Sequence, residues 1–187
     1  MQQHTTGNHG SRYKPVLFLD VDGVISLFGF PQGYGLARGT APFEERPPGS
    51  LHNVNGVIHY ISAASGPFLR RLEEEFELVW ATGWEETAND YLPLLLELPG
   101  ELPVLSFDGR VAAGAAHWKT DAMSEYAGNR PFAWIDDRID EQCRAWARRH
   151  PAPTLLVETA SEQGMVEEHV EELLAWARSL SEQDHGR

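Results

Sequence analysis

Three apolar runs in this chain each stop at an oxygen-bearing side chain, and that arrangement leaves few folds open. Val16-Leu17-Phe18-Leu19 leads into Asp20-Val21-Asp22-Gly23, Leu78-Val79-Trp80-Ala81 into Thr82-Gly83, and Phe132-Ala133-Trp134-Ile135 into Asp136-Asp137. Apolar runs of this length without polar alternation predict strands buried on both faces, as in a parallel sheet. Helix-like patterns fall between them, so strand and helix alternate and predict an α/β layered fold. Open sheets of that class bind ligands just beyond the carboxyl ends of their strands. Acids and a hydroxyl gathered there are poorly explained by folding needs alone.

The chain has 187 residues, 42% of them apolar, which suits one domain with a well-buried core. Its 15 basic and 28 acidic residues give 15 − 28 = −13. That balance argues against non-specific binding to nucleic acid or anionic membranes, although Arg144, Arg148 and Arg149 lie close together. No run is apolar enough to span a bilayer, and the first residues carry no signal-like apolar stretch. The single cysteine, Cys143, forms no internal disulfide. Together these predict a cytoplasmic protein without a membrane partner; oligomeric state has no signature in the sequence.

Residues 1–13 read as a disordered tail, with His4 and His9 solvated, and residues 181–187 as a flexible end. Between them, residues 14–180 form a single domain. Residues 25–50 are rich in Gly and Pro and read as one long loop, a length more often functional than passive. Residues 57–61 and 103–107 read as strands, as do 154–157. Phe68, Leu69, Leu72 and Phe76 mark a helix with Ser65 as N-cap, and Ala88, Tyr91, Leu92 and Leu95 another that Pro93 should kink or shorten. Further helices are expected at 119–126, along Ile139, Cys143, Trp146 and Ala147, and along Val166, Val170, Leu173, Leu174 and Ala177.

Asp20 and Asp22 are two apart on an extended segment and so face the same side. Two close carboxylates repel unless a cation or proton lies between them, and hard oxygen ligands suit Mg²⁺. One carboxylate can attack phosphorus and the other can act as general acid and base. Alone, Asp-x-Asp-Gly is equally a turn capped by aspartates. Thr82 and Gly83 offer a hydroxyl and a backbone N–H for a phosphate oxygen, or simply a helix cap. Lys119 is a candidate phosphate-neutralising charge, though most lysines are surface residues. Asp136 and Asp137 emerge from a buried run and need a cation or donors, unless they cap a helix.

The order Asp-x-Asp, Thr, Lys, Asp-Asp is stronger than any one member. It resembles the haloacid dehalogenase-like (HAD) hydrolase superfamily, whose motifs are matched by Phe18-Leu19-Asp20-Val21-Asp22-Gly23-Val24, Val79-Trp80-Ala81-Thr82-Gly83, Lys119 and Trp134-Ile135-Asp136-Asp137. The resemblance implies a Rossmann-like three-layer sandwich with a mainly parallel central sheet. It implies Asp20 as nucleophile, Asp22 as acid/base, and Thr82, Gly83 and Lys119 as holders of the phosphoryl group. Mg²⁺ would be bound by Asp20, the main-chain carbonyl of Asp22, and Asp136. Asp137 would support the site from behind, steadying Lys119, with Asp140 an alternative. Carbon–halogen-cleaving members lack the second acid, so Asp22 favours phosphate chemistry. Trp84, the Trp118-Lys119 pair and the stretch from Gly164 to Trp176 resemble the branch found as a domain in multi-part RNA-repair proteins, although large aromatics beside such strands are also ordinary core.

No interval leaves room for a large cap domain. The resemblance is therefore to capless members, whose open sites often accept phosphorylated macromolecules or rely on oligomer partners. The 25–50 loop, with Phe28, Phe30, Tyr34, Arg38, Phe43 and Arg46, is either a small lid that stacks on a base or a mobile surface loop. The expected function is a Mg²⁺-dependent phosphatase whose partner is a phosphorylated substrate, either a nucleic-acid end or a small metabolite such as a nucleotide or sugar phosphate. The competing class is a non-catalytic phosphate- or metal-binding module on the same fold.

Overall fold

The computed structural model describes residues 14–30, 46–107 and 117–185. The expected tail at 1–13 lies outside these residues, as do Tyr34, Arg38 and Phe43 of the expected loop. Twelve elements follow in order: β1 (Val16–Leu19), β2 (Ser26–Leu27), β3 (Gly49–Val54), β4 (Val57–Ser62), α1 (Ser65–Glu73), β5 (Glu77–Trp80), α2 (Thr87–Leu95), α3 (Thr120–Ala127), β6 (Phe132–Asp136), α4 (Glu141–Ala147), β7 (Thr154–Glu158) and α5 (Glu167–His185).

The three apolar runs become the centre of a four-stranded sheet, ordered β5-β1-β6-β7 and parallel throughout. All four residues of β1 are fully buried, because both of its faces are covered. Leu17 and Leu19 point into a core shared with Leu69 and Leu72 of α1, Ala88 and Leu92 of α2, and Val170 and Leu173 of α5. Val16 and Phe18 point into a second core with Met123 of α3 and Cys143 of α4. Alternation along one strand thus feeds two layers of helices, the three-layer sandwich expected from the sequence.

The chain leaves β1 for β5 on one side and returns to β6 on the other. The crevice expected where the strand order reverses therefore opens between the carboxyl ends of β1 and β6. Between β1 and α1 lies a second sheet, antiparallel and ordered β2-β4-β3. The expected strand at 57–61 belongs to this sheet, not the parallel one. Both ends of the expected 25–50 loop also join it, as β2 and the start of β3. The strand expected at 103–107 is reduced to a single bridge between Trp80 and Val104, with Trp80 N donating to Pro103 O at 2.8 Å and Leu105 N to Trp80 O at 2.9 Å. Pro103 has no N–H to extend that edge.

Smaller departures have local causes. Helix α1 is capped by Ala64 without a side-chain bond, and Ser65 sits inside the first turn with its buried hydroxyl unpartnered. Helix α2 contains Pro93 and ends two residues later, shortened as proline dictates. Helix α5 continues to His185, past the point where the sequence reading expected the chain to loosen. Among the described residues no helix is long and apolar enough to cross a membrane.

Because Leu17 is fully buried at the centre of the sheet, Leu17→Ala is expected to cost about 2–5 kcal/mol in urea unfolding, while Leu94→Ala, at a position 86% exposed, stays within about 0.5 kcal/mol of the parent.

Candidate active site

The last residue of β6 and the first after β1 bring two carboxylates into one buried space. Asp136 is fully buried and Asp20 is 7% exposed. Between them lies the ammonium of Lys119, which precedes α3 and is 1% exposed, with Nζ 2.8 Å from Asp20 Oδ2 and 2.6 Å from Asp136 Oδ2. The remaining acceptors are also used. Asp20 Oδ1 accepts from Val21 N at 2.8 Å, Asp136 Oδ1 from Arg138 N at 2.9 Å, and Asp136 Oδ2 also from Trp134 Nε1 at 3.2 Å. The Trp118 ring stands 5.1 Å from the same ammonium. Lys119 is thus no surface lysine.

Asp137 closes the group. Its Oδ2 accepts from Ser161 Oγ at 2.7 Å. Its carboxyl lies against Gly23, where a Cβ would come within 2.4 Å of Asp137 Cγ. Gly23 also has φ of 75°, so both space and backbone conformation call for glycine there. The preceding turn is tied by Val21 O, which accepts from the N–H groups of Ile25 and Ser26, both at 2.8 Å. Asp20, Asp136 and Asp137 each present one oxygen within 4.8 Å of the others, an arrangement able to hold a metal ion. The expected ligand set had Asp137 behind the site; here its carboxyl joins Asp20 and Asp136 in the cluster.

Electrostatics favour a cation in that place. One ammonium faces three carboxylates, two of them buried. Burial is the main cause that pushes the Asp20 carboxyl up to about 7, opposed by Lys119 and reinforced by Asp136. A divalent ion among these oxygens would reverse that penalty, and the all-oxygen donor set fits a hard ion such as Mg²⁺.

Neither acid expected to steady Lys119 touches it. Asp137 is engaged with Ser161, and Asp140 is the N-cap of α4, its Oδ1 accepting from Cys143 N at 2.9 Å. That backbone bond holds the Asp140 carboxyl below its ordinary range. The partners of Lys119 are Asp20 and Asp136 themselves.

Thr82 follows β5 by two residues and is fully buried, with Oγ1 accepting from Trp84 N at 3.3 Å. Gly83 lies on the wall of a cavity of about 710 Å³ that opens over Asp20, Asp136 and Lys119. Asp22 lines the same cavity, but apart from the acidic cluster. Its side chain is 48% exposed, with Trp84 Nε1 donating to Oδ2 at 3.1 Å and His59 Nδ1 3.7 Å from Oδ1. Farther out the walls are Phe28, His117, Trp118 and Arg138. Burial is the main cause that lowers the His117 imidazole, which favours its neutral form.

Sequence reasoning named Trp84 and Trp118 only as features of a resemblance, and missed His59, His117, Arg138 and Ser161. Nothing local marks His59, because its position depends on β4 pairing with β2.

Two measurements probe this geometry. Gly23→Ala is expected to destabilise by about 1–3 kcal/mol in urea unfolding, through strain at positive φ, and to weaken metal binding in a titration by displacing Asp137. The second follows from Asp20, raised from 3.8 to about 7. Between those values the metal-free native protein binds more protons than the unfolded chain. The contribution of Asp20 to stability is therefore present at low pH and lost as pH rises through that window. Asp20→Asn should flatten the fall in Tm over that range. Added Mg²⁺ should raise Tm more near about pH 8 than near about pH 5, where protonation of Asp20 competes with the ion.

No curated protein matches the chain. Residues 16–170 match the family described as the HAD domain in Swiss Army Knife RNA repair proteins. The match spans the parallel sheet, the antiparallel sheet and every residue of the acidic cluster. The chain belongs to that family, within the HAD superfamily.

Proposed function

We propose that the protein is a Mg²⁺-dependent phosphomonoesterase that works through an aspartyl-phosphate on Asp20. The observation that carries this reading is the buried ammonium of Lys119 shared by Asp20 and Asp136, with Asp137 alongside, at the lip of the parallel sheet. A fold needs no such concentration of charge.

Asp20, Asp136 and Asp137 would hold Mg²⁺, with the main-chain carbonyl of Asp22 a further candidate ligand, and the bound ion would neutralise charge on the transferring phosphoryl group. The Asp20 carboxylate attacks phosphorus and forms the new P–O bond. The bond to the leaving oxygen breaks with its electron pair on that oxygen, and Asp22 supplies the proton. Water then attacks phosphorus, Asp22 takes its proton, and Asp20 is released as carboxylate with inorganic phosphate. Lys119 has three N–H donors, of which Asp20 and Asp136 engage two; the third remains for a phosphoryl oxygen. Thr82 and the Gly83 N–H lie at the adjoining strand end for the others. Positioning and fixed charge account for most of phosphoryl-transfer catalysis, and these groups supply both.

For the substrate, a nucleic-acid end is the preferred class. The matched family is described from RNA repair proteins, and the outer walls of the open cavity carry Phe28, Trp118 and Arg138, groups suited to a base and its neighbouring phosphodiester. The net charge of −13 favours the second reading, a small phosphorylated metabolite, since it opposes a long polyanion.

The test is phosphate release from an aryl phosphate, from nucleotides and sugar phosphates, and from oligonucleotides phosphorylated at the 3′ or 5′ end, each with and without Mg²⁺. Turnover should require the ion and fall by roughly three orders of magnitude or more in Asp20→Asn. Oligonucleotide ends should be the best substrates. Should the parent protein release phosphate from no compound of the panel, the enzyme reading gives way to a non-catalytic binding module.

A further inference from the structure

Asp22 differs from the other acids of the site in having no tie to the Lys119 cluster. Its side chain is 48% exposed, and an exposed carboxyl on a turn samples several rotamers unless something holds it. What holds it comes from two other parts of the chain. Trp84, in the turn after β5, donates its indole N–H to Asp22 Oδ2 at 3.1 Å. His59, on β4, meets that indole edge-to-face with ring centroids 4.5 Å apart and 65° between planes. The imidazole is itself fixed, with Nδ1 2.9 Å from the hydroxyl of Ser26, which is buried on β2.

We infer that Trp84, braced by His59, is a positioning residue for Asp22, assigning one oxygen to the indole and leaving Oδ1 to carry the transferred proton. The inference rests on the phosphatase reading above. An indole N–H is a donor only, so the oxygen it meets must act as acceptor in either protonation state of the carboxyl. The carbonyl oxygen of a protonated carboxyl is its better acceptor, so the indole on Oδ2 favours Oδ1 as the oxygen that carries the proton. His59 Nδ1, at 3.7 Å from Oδ1, is beyond hydrogen-bond reach and already engaged with Ser26, so Oδ1 stays available to a leaving oxygen. The antiparallel sheet β2-β4-β3 thereby gains a part in the proton step without touching the phosphoryl group. The Trp84 indole meets neither the acidic cluster nor the ammonium, and the contact of Trp84 with Thr82 is made by its backbone N–H, which a side-chain substitution retains.

A general acid matters in proportion to how badly the leaving group needs a proton, and this gives a readout that a merely structural residue would not move. The experiment compares kcat/KM, with saturating Mg²⁺, on phenyl phosphate and on 2,4-dinitrophenyl phosphate, whose anion leaves unaided. Trp84→Phe keeps a ring beside His59 and removes the N–H. It is expected to lower kcat/KM at least about 10-fold on phenyl phosphate and by no more than about 3-fold on the dinitrophenyl ester. In an Asp22→Asn background the same change should cost less than about 2-fold on either, since Trp84 acts through Asp22. His59→Leu should give the same selective loss at smaller size, and carries the test should Trp84→Phe not fold. Equal losses on both esters, or full additivity with Asp22→Asn, would overturn the inference while leaving the phosphatase standing. Failure of the parent protein to release phosphate from either ester or from any compound of the panel above would overturn both.

Discussion

The structure depends most on a buried ammonium held between two carboxylates that the sequence places 116 residues apart (136 − 20). Burying Lys119 without partners would be prohibitive, and burying Asp20 and Asp136 without a cation would be as bad. Each group is tolerable only with the others in place. The contact therefore fixes the end of β1, the end of β6 and the start of α3 with respect to one another. It is weak evidence of net stabilisation, because desolvation offsets much of the attraction. As a constraint on geometry it is strong: any slip of β1 against β6 would separate charges that low exposure leaves nowhere else to go.

The sheet supplies that register. Leu19 pairs with Ile135 in β6 and with Trp80 in β5, so Asp20, Asp136 and Ala81 arrive at the same height across three neighbouring strands. Three residues beyond Asp20, the chain turns tightly at Gly23, whose lack of a side chain admits the Asp137 carboxyl. The strands between two helical layers are rigid, and the acids at their ends inherit that rigidity. A site built on strand ends holds its groups more closely than one built on loops.

The sequence made the three-layer fold and the identity of Asp20, Lys119 and Asp136 legible because each follows from a local pattern: an uninterrupted apolar run, a residue at its end, and an order along the chain. It misjudged what depends on pairing between distant segments. Residues 25–50 look like a loop because β2 is two residues long, too short for any period, and its partner β4 lies more than 30 residues on. The family resemblance implies Asp137, or else Asp140, as a support for Lys119. The carboxyl of one turns toward Gly23 and Ser161, and the other is spent on the first turn of α4. His59 gives no local signal at all, since only the antiparallel register carries it to Asp22.

The four acids at the crevice are chemically alike, and the fold makes them unlike by exposure. Asp136 is shut away with every oxygen engaged, which suits a fixed negative charge and nothing that moves. Asp20 is nearly as buried, yet it lies at the floor of the cavity, where an incoming phosphorus could reach it. Even with Lys119 beside it, burial pushes its carboxyl up to about 7, which disfavours the ionised form that attacks. In the phosphatase reading a divalent ion held by Asp20, Asp136 and Asp137 would favour the ionised form of the nucleophile as well as neutralise charge on the substrate. Asp22, with its side chain 48% exposed, stays open to water, and in that same reading a group that gains and loses a proton in every cycle needs such access. A buried carboxyl at Asp20 and a half-exposed one at Asp22, two residues on, require the chain to turn between them. That is the service the turn from Asp20 to Gly23 performs, and it places the positive φ of Gly23 four residues after the end of β1.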